Sequence, residues 1–313
     1  MMREIIIPFA TGLTIFMFGL QVMRIGLEQM AGERLRLALL RFTKTPLRSF
    51  STGIATTAFL QSSSAVTVLT IGFVNAGMLT FTHSIGIILG TNIGTTVTTQ
   101  VMALNIEDFA LPLIIIGVLL WLLPLQKVIS NLGLASIGFG CIFLGMDAMR
   151  WVATPLQEHG MLAWLLNHQI SPVWMGLFVG CVITALIHSS SACIAITMGF
   201  YATGVIELPF AIAVVFGSNV GTCVTAILAA IHTGIAAKRV ALAHFILNVA
   251  GVAIFIPFIY PISEYAPLLS SDPATQIAHI QTLFNIICSI VVLPFIHPFA
   301  QGVSLLVPEK AGR

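Results

Sequence analysis

Charged residues are scarce in this sequence. Asp, Glu, Lys and Arg make up 8% of its 313 residues, whereas 58% are hydrophobic. Soluble domains carry about a quarter charged residues, so this composition cannot cover a surface that faces water. Apolar runs of about the 20 residues that a helix needs to cross a bilayer recur along the chain. The composition therefore predicts an integral membrane protein.

Several other signals are missing. The five cysteines are odd in number, lie scattered in apolar stretches and show no metal-ligand spacing. No His-Glu-x-x-His pattern of a metalloprotease occurs. A nucleic-acid-binding role would need a basic face on a soluble module, and the sequence has none. The first apolar stretch is too long for a cleavable signal peptide.

The chain contains an internal duplication. Three blocks recur in the same order, namely Gln61–Ala65 with His188–Ala192, Gly90–Thr96 with Gly217–Cys223, and Phe18–Arg24 with Leu144–Arg150. The first two pairs are offset by 188 − 61 = 217 − 90 = 127 residues, and the third by 150 − 24 = 126. Three matches in one order indicate two related halves whose polar residues occupy equivalent positions.

The serine-rich stretches predict helical hairpins. Residues 46–77 are too many for one span and hold Gln61 and three serines at their centre. Two half-helices that meet at a polar tip fit better, because irregular backbone at membrane depth survives only inside protein or beside a wet cavity. Residues 172–204 repeat the pattern. The spans 81–104 and 209–231 are each predicted to be interrupted by the Gly/Asn/Thr block.

The predicted fold is an all-helical, polytopic membrane protein with two inverted-topology repeats, residues 1–131 and 132–313. Each repeat has a re-entrant hairpin, at about 46–77 or 172–204, and a broken transmembrane helix. The other predicted segments are a span at 5–27, a basic amphipathic segment at the cytoplasmic interface at 28–45, and helices at 109–126, 132–150, 240–260 and 275–300.

Charge placement sets the orientation. Lys and Arg crowd residues 24–48, which the positive-inside rule places in the cytoplasm, whereas the equivalent loop 151–171 has neither. The inverted arrangement leaves Arg3 and Arg150 as the basic residues outside. If each serine-rich stretch instead crosses the membrane fully, the basic residues outside are Arg3 and Lys127. The two topologies therefore place the same number of basic residues in the cytoplasm. Segment length and the unlike charge of the two loops favour the inverted arrangement.

The tri-serine tips suit an anion. If the serines begin the second half-helix, its free N–H groups and positive dipole end point into the bundle. Serine hydroxyls add donors without a fixed charge, which suits a ligand that must be released. Two tips related by pseudosymmetry could hold a tetrahedral oxyanion such as phosphate from both sides.

The Gly/Asn/Thr blocks suit a cation. An unwound turn there would expose carbonyl oxygens beside Asn and Thr side chains, and Na⁺ binds at such breaks in transporters. An anion moved against the membrane potential needs a driving ion. The glycines at four-residue spacing have a simpler interpretation, which is close approach between helices.

Other interpretations stay open. The serine and threonine hydroxyls could serve only hydrogen bonds between helices, and His188 could be a satisfied neutral histidine. His244, Asn248 and Asn285 could line the cavity or stabilise helix packing. The serine next to His188 also suggests an intramembrane serine hydrolase as an alternative. Against it, adjacent residues on a helix do not face each other, and no Gly-x-Ser-x-Gly elbow occurs.

These motifs resemble those of the bacterial and animal sodium/phosphate cotransporter family. Its signature is a duplicated Gln-Ser-Ser-Ser stretch, each copy followed by a Gly-Thr-Asn-x-Gly-Thr-Thr-like stretch. The first copy is complete here, whereas the second has His188 for Gln, Ser218 for Thr and Cys223 for Thr. Further similarity lies in Ala241–Asn248 and Gln281–Asn285. Some bacterial relatives carry a C-terminal regulatory domain. This chain ends at Arg313 without one, so a short bacterial member is expected.

The resemblance implies Na⁺-coupled symport of inorganic phosphate across the cell membrane by alternating access, not an enzyme activity. The phosphate role is carried onto Gln61, Ser62, Ser63, Ser64, His188, Ser189, Ser190 and Ser191. The Na⁺ role is carried onto Thr91, Asn92, Thr95, Ser218, Asn219 and Thr222. The partners are phosphate, Na⁺ and the bilayer. The same fold with another small anion (arsenate, sulfate or a small carboxylate) and the intramembrane hydrolase are the alternatives.

Overall fold

The computed structural model describes residues 2–104, 106–124, 126–152, 155 and 171–308, which form helices joined by short turns. The α-helices are α1 (Ile7–Arg41), α2 (Pro46–Leu60), α3 (Ser63–Asn75), α4 (Phe81–Met102), α5 (Ala110–Leu122), α6 (Lys127–Arg150), α7 (Pro172–Ile187), α8 (Ser190–Ala202), α9 (Leu208–Gly221), α10 (Cys223–Ala230), α11 (Ile235–Phe255), α12 (Ile259–Tyr265), α13 (Pro273–Val292) and α14 (Ile296–Leu306). The all-helical prediction is confirmed for these residues. Most of loop 151–171 lies outside them.

Within this described part of the chain, five helical segments are long and apolar enough to cross a membrane. They are Glu4–Arg41, Lys127–Arg150, Leu208–Ala230, Ile235–Leu268 and Pro273–Leu306. Two of these runs contain 3₁₀ turns at Pro257 and Pro294, because proline lacks the N–H that a continuous helix requires. The protein is therefore a multi-pass membrane protein, as its composition predicts.

Helix α1 contains a kink. Its residues Ile7–Arg41 comprise two helices joined at Gly32, whose backbone angles are not helical. The predicted segment at 28–45 is therefore separated from the first span at Gly32, and its position at the cytoplasmic interface stays a prediction. Gly32 has φ 49° and ψ −142°, a conformation that glycine adopts without a steric penalty. The Leu-, Ala- and Arg-rich residues that follow have high helix propensity, which explains why the helix resumes.

Helices α1 and α6 pack against each other with reciprocal contacts. A Cβ added to Gly12 would lie 2.8 Å from the Met149 nitrogen, and one added to Gly138 would lie 2.2 Å from the Met23 nitrogen. Each contact is the duplicated counterpart of the other, because Gly138 is equivalent to Gly12 and Met149 to Met23 (12 + 126 = 138 and 23 + 126 = 149). Residue numbers rise along one helix as they fall along the other. The two equivalent helices are therefore antiparallel.

Each half also has a closely packed pair, α2 with α4 and α7 with α9. A Cβ on Gly90 would lie 2.2 Å from the Phe50 carbonyl oxygen, and one on Gly217 would lie 2.1 Å from that of Leu177. These contacts are equivalent, since 90 + 127 = 217 and 50 + 127 = 177. Only glycine permits this approach, so the simpler interpretation of the glycine spacing is supported.

The predicted break at Gly90–Thr96 is wrong. Helix α4 runs without interruption from Phe81 to Met102. In the second half the interruption is Thr222 alone, which keeps helical angles of φ −60° and ψ −26°. The glycines of both blocks face a neighbouring backbone rather than loosening their own, and tight packing holds the helix intact.

The two halves pack together through the second arms of the serine-rich segments. Helix α3 of the first half contacts α10 and α11 of the second, and α8 of the second half contacts α4 of the first. Each second arm thus touches the segment of the other half that carries the Gly/Asn/Thr block, either α4 or Leu208–Ala230.

Candidate functional site

The two serine-rich tips have the same backbone geometry. Gln61 has φ 55° and ψ 29°, and His188 has φ 57° and ψ 27°. Within the described residues they are the non-glycine positions with positive φ. The next residues, Ser62 and Ser189, are extended, with φ −149° and −147°. A left-handed residue followed by an extended one ends the first helix and redirects the chain.

The helices on either side of each tip are short. Helices α2 and α3 have 15 and 13 residues, and α7 and α8 have 16 and 13. At 1.5 Å per residue they are about 20 to 24 Å long, which is less than the ~30 Å hydrocarbon core of a bilayer. In both halves two short helices meet at a polar tip, where the sequence predicts it. That each pair enters and leaves on one side of the membrane stays a prediction.

Each tip begins its second helix with a serine cap. The Ser62 hydroxyl accepts from the Ala65 N–H at 3.2 Å, and that of Ser189 accepts from the Ala192 N–H at 3.3 Å. The N–H of the following residue then bonds to the carbonyl of the capping serine. Helix geometry leaves two N–H groups per tip without an intrahelical partner. They belong to Ser63, Ser64, Ser190 and Ser191.

The two tips differ in burial. Ser189–Ser191 are all buried, with at most 8% of any residue exposed. In the first tip Ser62 is buried, whereas Ser63–Ser64 and Gln61 are half-buried. His188 is exposed, unlike Gln61 at the equivalent position. The duplicated sequence thus occupies two unlike environments.

Arg24 is a tip residue that sequence reasoning missed. Its Nε donates a 3.0 Å hydrogen bond to the carbonyl oxygen of Gln61. The sequence grouped Arg24 with the basic residues near the cytoplasm, yet its partly buried side chain reaches the end of α2. The available signal was its place in a duplicated block, where it pairs with Arg150.

In the first half, the predicted cation ligands keep their helix intact. The Thr91 hydroxyl donates to the Ile88 carbonyl at 2.8 Å, and that of Thr95 donates to the Thr91 carbonyl at 2.8 Å. Asn92 Nδ2 donates to Asn248 Oδ1 at 3.4 Å. Because each hydroxyl proton is committed to the backbone, the oxygens of these threonines present only lone pairs to other groups.

The second half repeats this arrangement. The Ser218 hydroxyl and Asn219 Nδ2 both donate to the Val215 carbonyl, at 2.7 and 2.8 Å. The Thr222 hydroxyl donates to the Ser218 carbonyl at 2.9 Å. The structure therefore gives both sets side-chain oxygen acceptors instead of the exposed backbone carbonyls that an unwound turn would supply.

Of the predicted lining residues His244, Asn248 and Asn285, Asn248 lies at a contact between helices. Asn248 Nδ2 donates to the His244 carbonyl at 3.0 Å, and its Oδ1 accepts from Asn92 in the other half. His244 is buried, and within the described residues its Nδ1 has no hydrogen-bond partner. Asn285 donates to the Gln281 carbonyl of its own helix at 2.9 Å. The structure thus brings Asn92 and Asn248 together.

A polar seam between α4 and α13 was also missed. The Thr99 hydroxyl donates to Gln281 Oε1, and both residues are buried. At the next residue of each helix, Gln100 Nε2 donates to the Thr282 hydroxyl at 2.8 Å. More than two turns away, the Ser289 hydroxyl donates to the Leu89 carbonyl at 3.1 Å. Glutamine inside an apolar run was the sequence signal for this seam.

Comparisons with known proteins place these features in one family. The model of the family described as "Na+/Pi-cotransporter" matches residues 15–151 and 156–266. A Bacillus subtilis (strain 168) protein, "Uncharacterized protein YqeW", is 42% identical over 306 residues, which cover 98% of this chain and 99% of that protein. No solved structure matches the chain.

Relatives with a named function are more distant. "Putative inorganic phosphate export protein YjbB" of Escherichia coli (strain K12) is 27% identical over 277 residues, which cover 88% of this chain and 51% of that protein. The chain therefore spans about half the length of YjbB. Mouse "Sodium-dependent phosphate transport protein 2C" is 38% identical over 86 residues, covering 26% of this chain and 14% of that protein. Since the family model matches most of its length, the chain belongs to the Na⁺/Pi-cotransporter family, a family of transporters.

Proposed function

We propose that this member of the Na⁺/Pi-cotransporter family moves inorganic phosphate across the cell membrane together with Na⁺ by alternating access. The observation that carries the proposal is the pair of serine-capped tips with the same backbone angles in both halves. A binding element built twice, on two halves of one chain, suits a site that opens to either side of a membrane.

The phosphate site is assigned to the two helix N-termini. The free N–H groups of Ser63–Ser64 and Ser190–Ser191 are donors at the positive ends of α3 and α8. The serine hydroxyls supply further donors to the oxygens of phosphate. Gln61 and His188 complete the set at the left-handed positions. We assign both tips to one pocket, because each second arm packs against the opposite half.

The two halves are proposed to be inverted repeats, residues 1–131 and 132–313. Support comes from α1 and α6, which are equivalent in sequence and antiparallel in space. The contact of Gly12 with Met149 is equivalent to the contact of Gly138 with Met23, as a pseudo-two-fold axis between the two helices requires. The segments 46–77 and 172–204 then enter from opposite sides as re-entrant hairpins. Rocking of one repeat against the other exposes the site alternately.

Na⁺ is assigned to the side-chain oxygens of the Gly/Asn/Thr blocks. The ligands are Thr91, Asn92, Thr95, Ser218, Asn219 and Thr222. Hard cations prefer oxygen ligands, and hydroxyls that donate to their own helix leave their lone pairs for a cation. The name of the matching family and that of the mouse relative both include sodium. The downhill entry of Na⁺ supplies the free energy for anion movement against the membrane potential.

The test is flux of radiolabelled phosphate in proteoliposomes. A Na⁺ gradient should drive phosphate movement, and a K⁺ gradient of equal size should not. Both directions are measured, because the YjbB proteins are named as exporters. Phosphate movement that is the same in Na⁺ and K⁺ would contradict coupling. Faster movement of sulfate or a small carboxylate would transfer the proposal to another anion.

Serine variants separate transport from hydrolysis. Ser63→Ala and Ser190→Ala should each weaken Na⁺-dependent phosphate flux, whereas Ser51→Ala should not. Ser51 is an exposed serine on α2 whose hydroxyl bonds only to its own helix at Leu47, so it is a matched control. Labelling of Ser63 or Ser190 by a serine-directed acylating reagent, with turnover of the covalent intermediate, would instead support the intramembrane hydrolase.

A further inference from the structure

We infer that Arg24 is a residue of the phosphate site, anchored by the Gln61 carbonyl and supplying positive charge at the first tip. This inference rests on the proposed function. It adds a cation to a site that the duplicated serines and amides form from neutral donors.

The contact is specific in its geometry. Gln61 ends α2, and its carbonyl belongs to the negative end of that helix. Arg24 Nε donates to this oxygen at 3.0 Å. The bond uses Nε, the innermost donor of the guanidinium. Gln61 is joined directly to Ser62, the cap of α3, so the bond holds the guanidinium beside the first tip.

Arg24 and the first tip lie side by side. The hydrogen bond between them places Arg24 at the inner end of α2, and Gln61 is 61 − 46 = 15 residues, about 22 Å, from Pro46 at the start of that helix. A cation at this depth costs free energy unless it has partners. Arg24 has the Gln61 carbonyl and the carboxylate of Glu28, one turn further along α1.

A bound phosphate needs positive charge nearby, and Arg24 can supply it. The helices that carry the serine-rich and Gly/Asn/Thr motifs contain one formally charged residue, Arg48 near the start of α2. These helices are α2, α3, α4, α7, α8, α9 and α10. Phosphate carries one or two negative charges, and a buried anion needs paired charge or strong donors. Arg24 is the cation that reaches the first tip.

The second half has a related arginine. Arg150 is equivalent to Arg24 at the offset of 126, and it lies at the end of α6. A Cβ added to Gly199 on α8 would lie 3.7 Å from Arg150 Cγ. Each half therefore brings an arginine from its first helix to its own serine-rich segment. In the first half it reaches the end of α2, and in the second it lies along α8, 199 − 190 = 9 residues from the start of that helix.

Arg24→Gln tests the inference through phosphate affinity. The loss of a charge-assisted hydrogen bond should raise the half-saturating phosphate concentration about tenfold or more. Arg24→Lys should restore part of the affinity, since lysine keeps the charge but cannot bond Gln61 and phosphate through one planar fork. Arg34→Gln removes the same charge from an exposed position of α1 and should leave phosphate affinity unchanged.

Two measurements make the outcomes distinct. Phosphate binding is followed by the thermal stabilisation of purified protein in detergent, and transport by flux in proteoliposomes. Unchanged half-saturation in folded Arg24→Gln, or in Arg24→Lys if the first variant does not fold, would overturn the inference. A lower maximal rate with unchanged half-saturation would also overturn it, because that result indicates a structural role. Wild-type protein that binds phosphate without Na⁺-driven flux would refute the transport proposal, while the binding data still decide Arg24.

Discussion

The contact between Gly90 and the Phe50 carbonyl gives a prediction whose size follows from the structure. In Gly90→Ala the new Cβ would lie 2.2 Å from that oxygen, whereas ordinary contacts begin at 3.4 Å. Helices α2 and α4 would have to separate by about 3.4 − 2.2 = 1.2 Å. Overpacking of a well-packed core costs about 1–3 kcal/mol, and a backbone oxygen cannot rotate away, so the upper value applies.

The assay is thermal unfolding of detergent-solubilised protein. A loss of about 3 kcal/mol at roughly 2–4 °C per kcal/mol lowers the melting temperature by about 6 °C or more. Because α2 ends at Gln61, the same shift displaces the tip, so phosphate affinity should fall as well. Gly217→Ala should behave in the same way, since its Cβ would lie 2.1 Å from the Leu177 carbonyl.

Gly72→Ala is the matched control. Gly72 lies inside α3, and an added Cβ would meet nothing within 4 Å. Alanine favours a helix over glycine by about 1 kcal/mol, so this variant should melt at the wild-type temperature or above. Equal melting of Gly90→Ala and Gly72→Ala would refute the claim that close backbone contact holds α2 against α4.

Three further predictions concern the tips and the polar seam. Gln61→Val should destabilise the protein by about 1–2 kcal/mol and Gln61→Gly should not, because a β-branched residue resists the left-handed conformation; the melting temperatures of the two variants decide this. Ser62→Ala and Ser189→Ala should each cost about 1 kcal/mol through a lost helix cap, as measured by thermal unfolding. Thr99→Val should leave the Gln281 oxygen buried without its donor, at a cost of about 1–3 kcal/mol, and the Thr99→Val/Gln281→Leu pair should be less than additive in a double-mutant cycle.

The tips could be predicted from the sequence because their signals are local. A serine that can cap a helix, placed in the middle of a stretch too long for one span, marks the start of a new helix at Ser62. The duplication repeats this signal at Ser189. Two copies of one local pattern at a fixed offset leave few alternatives, and the structure places both breaks where the sequence does.

The sequence alone could not predict whether the helices continue through the Gly/Asn/Thr blocks. Glycine weakens its own helix and also permits a neighbour to approach, and sequence alone does not say which effect dominates. The Phe50 carbonyl against Gly90 decides in favour of packing, so α4 stays continuous. The bond from Arg24 to Gln61 is likewise tertiary. It depends on how α1 and α2 align, and nothing local to either residue specifies that.

The difference in burial between the two tips bears on the proposed transport cycle. If the two halves had identical conformations, equivalent residues would be equally accessible, yet Ser190 and Ser191 are buried while Ser63 and Ser64 are half-buried. The backbone angles at the tips agree within about 2° at the left-handed residue, so the tips themselves are the same. The asymmetry therefore lies in what surrounds them. Rigid tips in unlike surroundings agree with the alternating access and inverted repeats proposed above, in which the two halves would exchange surroundings. We predict that in this exchange the first tip becomes the buried one and that Arg24, held to the Gln61 carbonyl, moves with it.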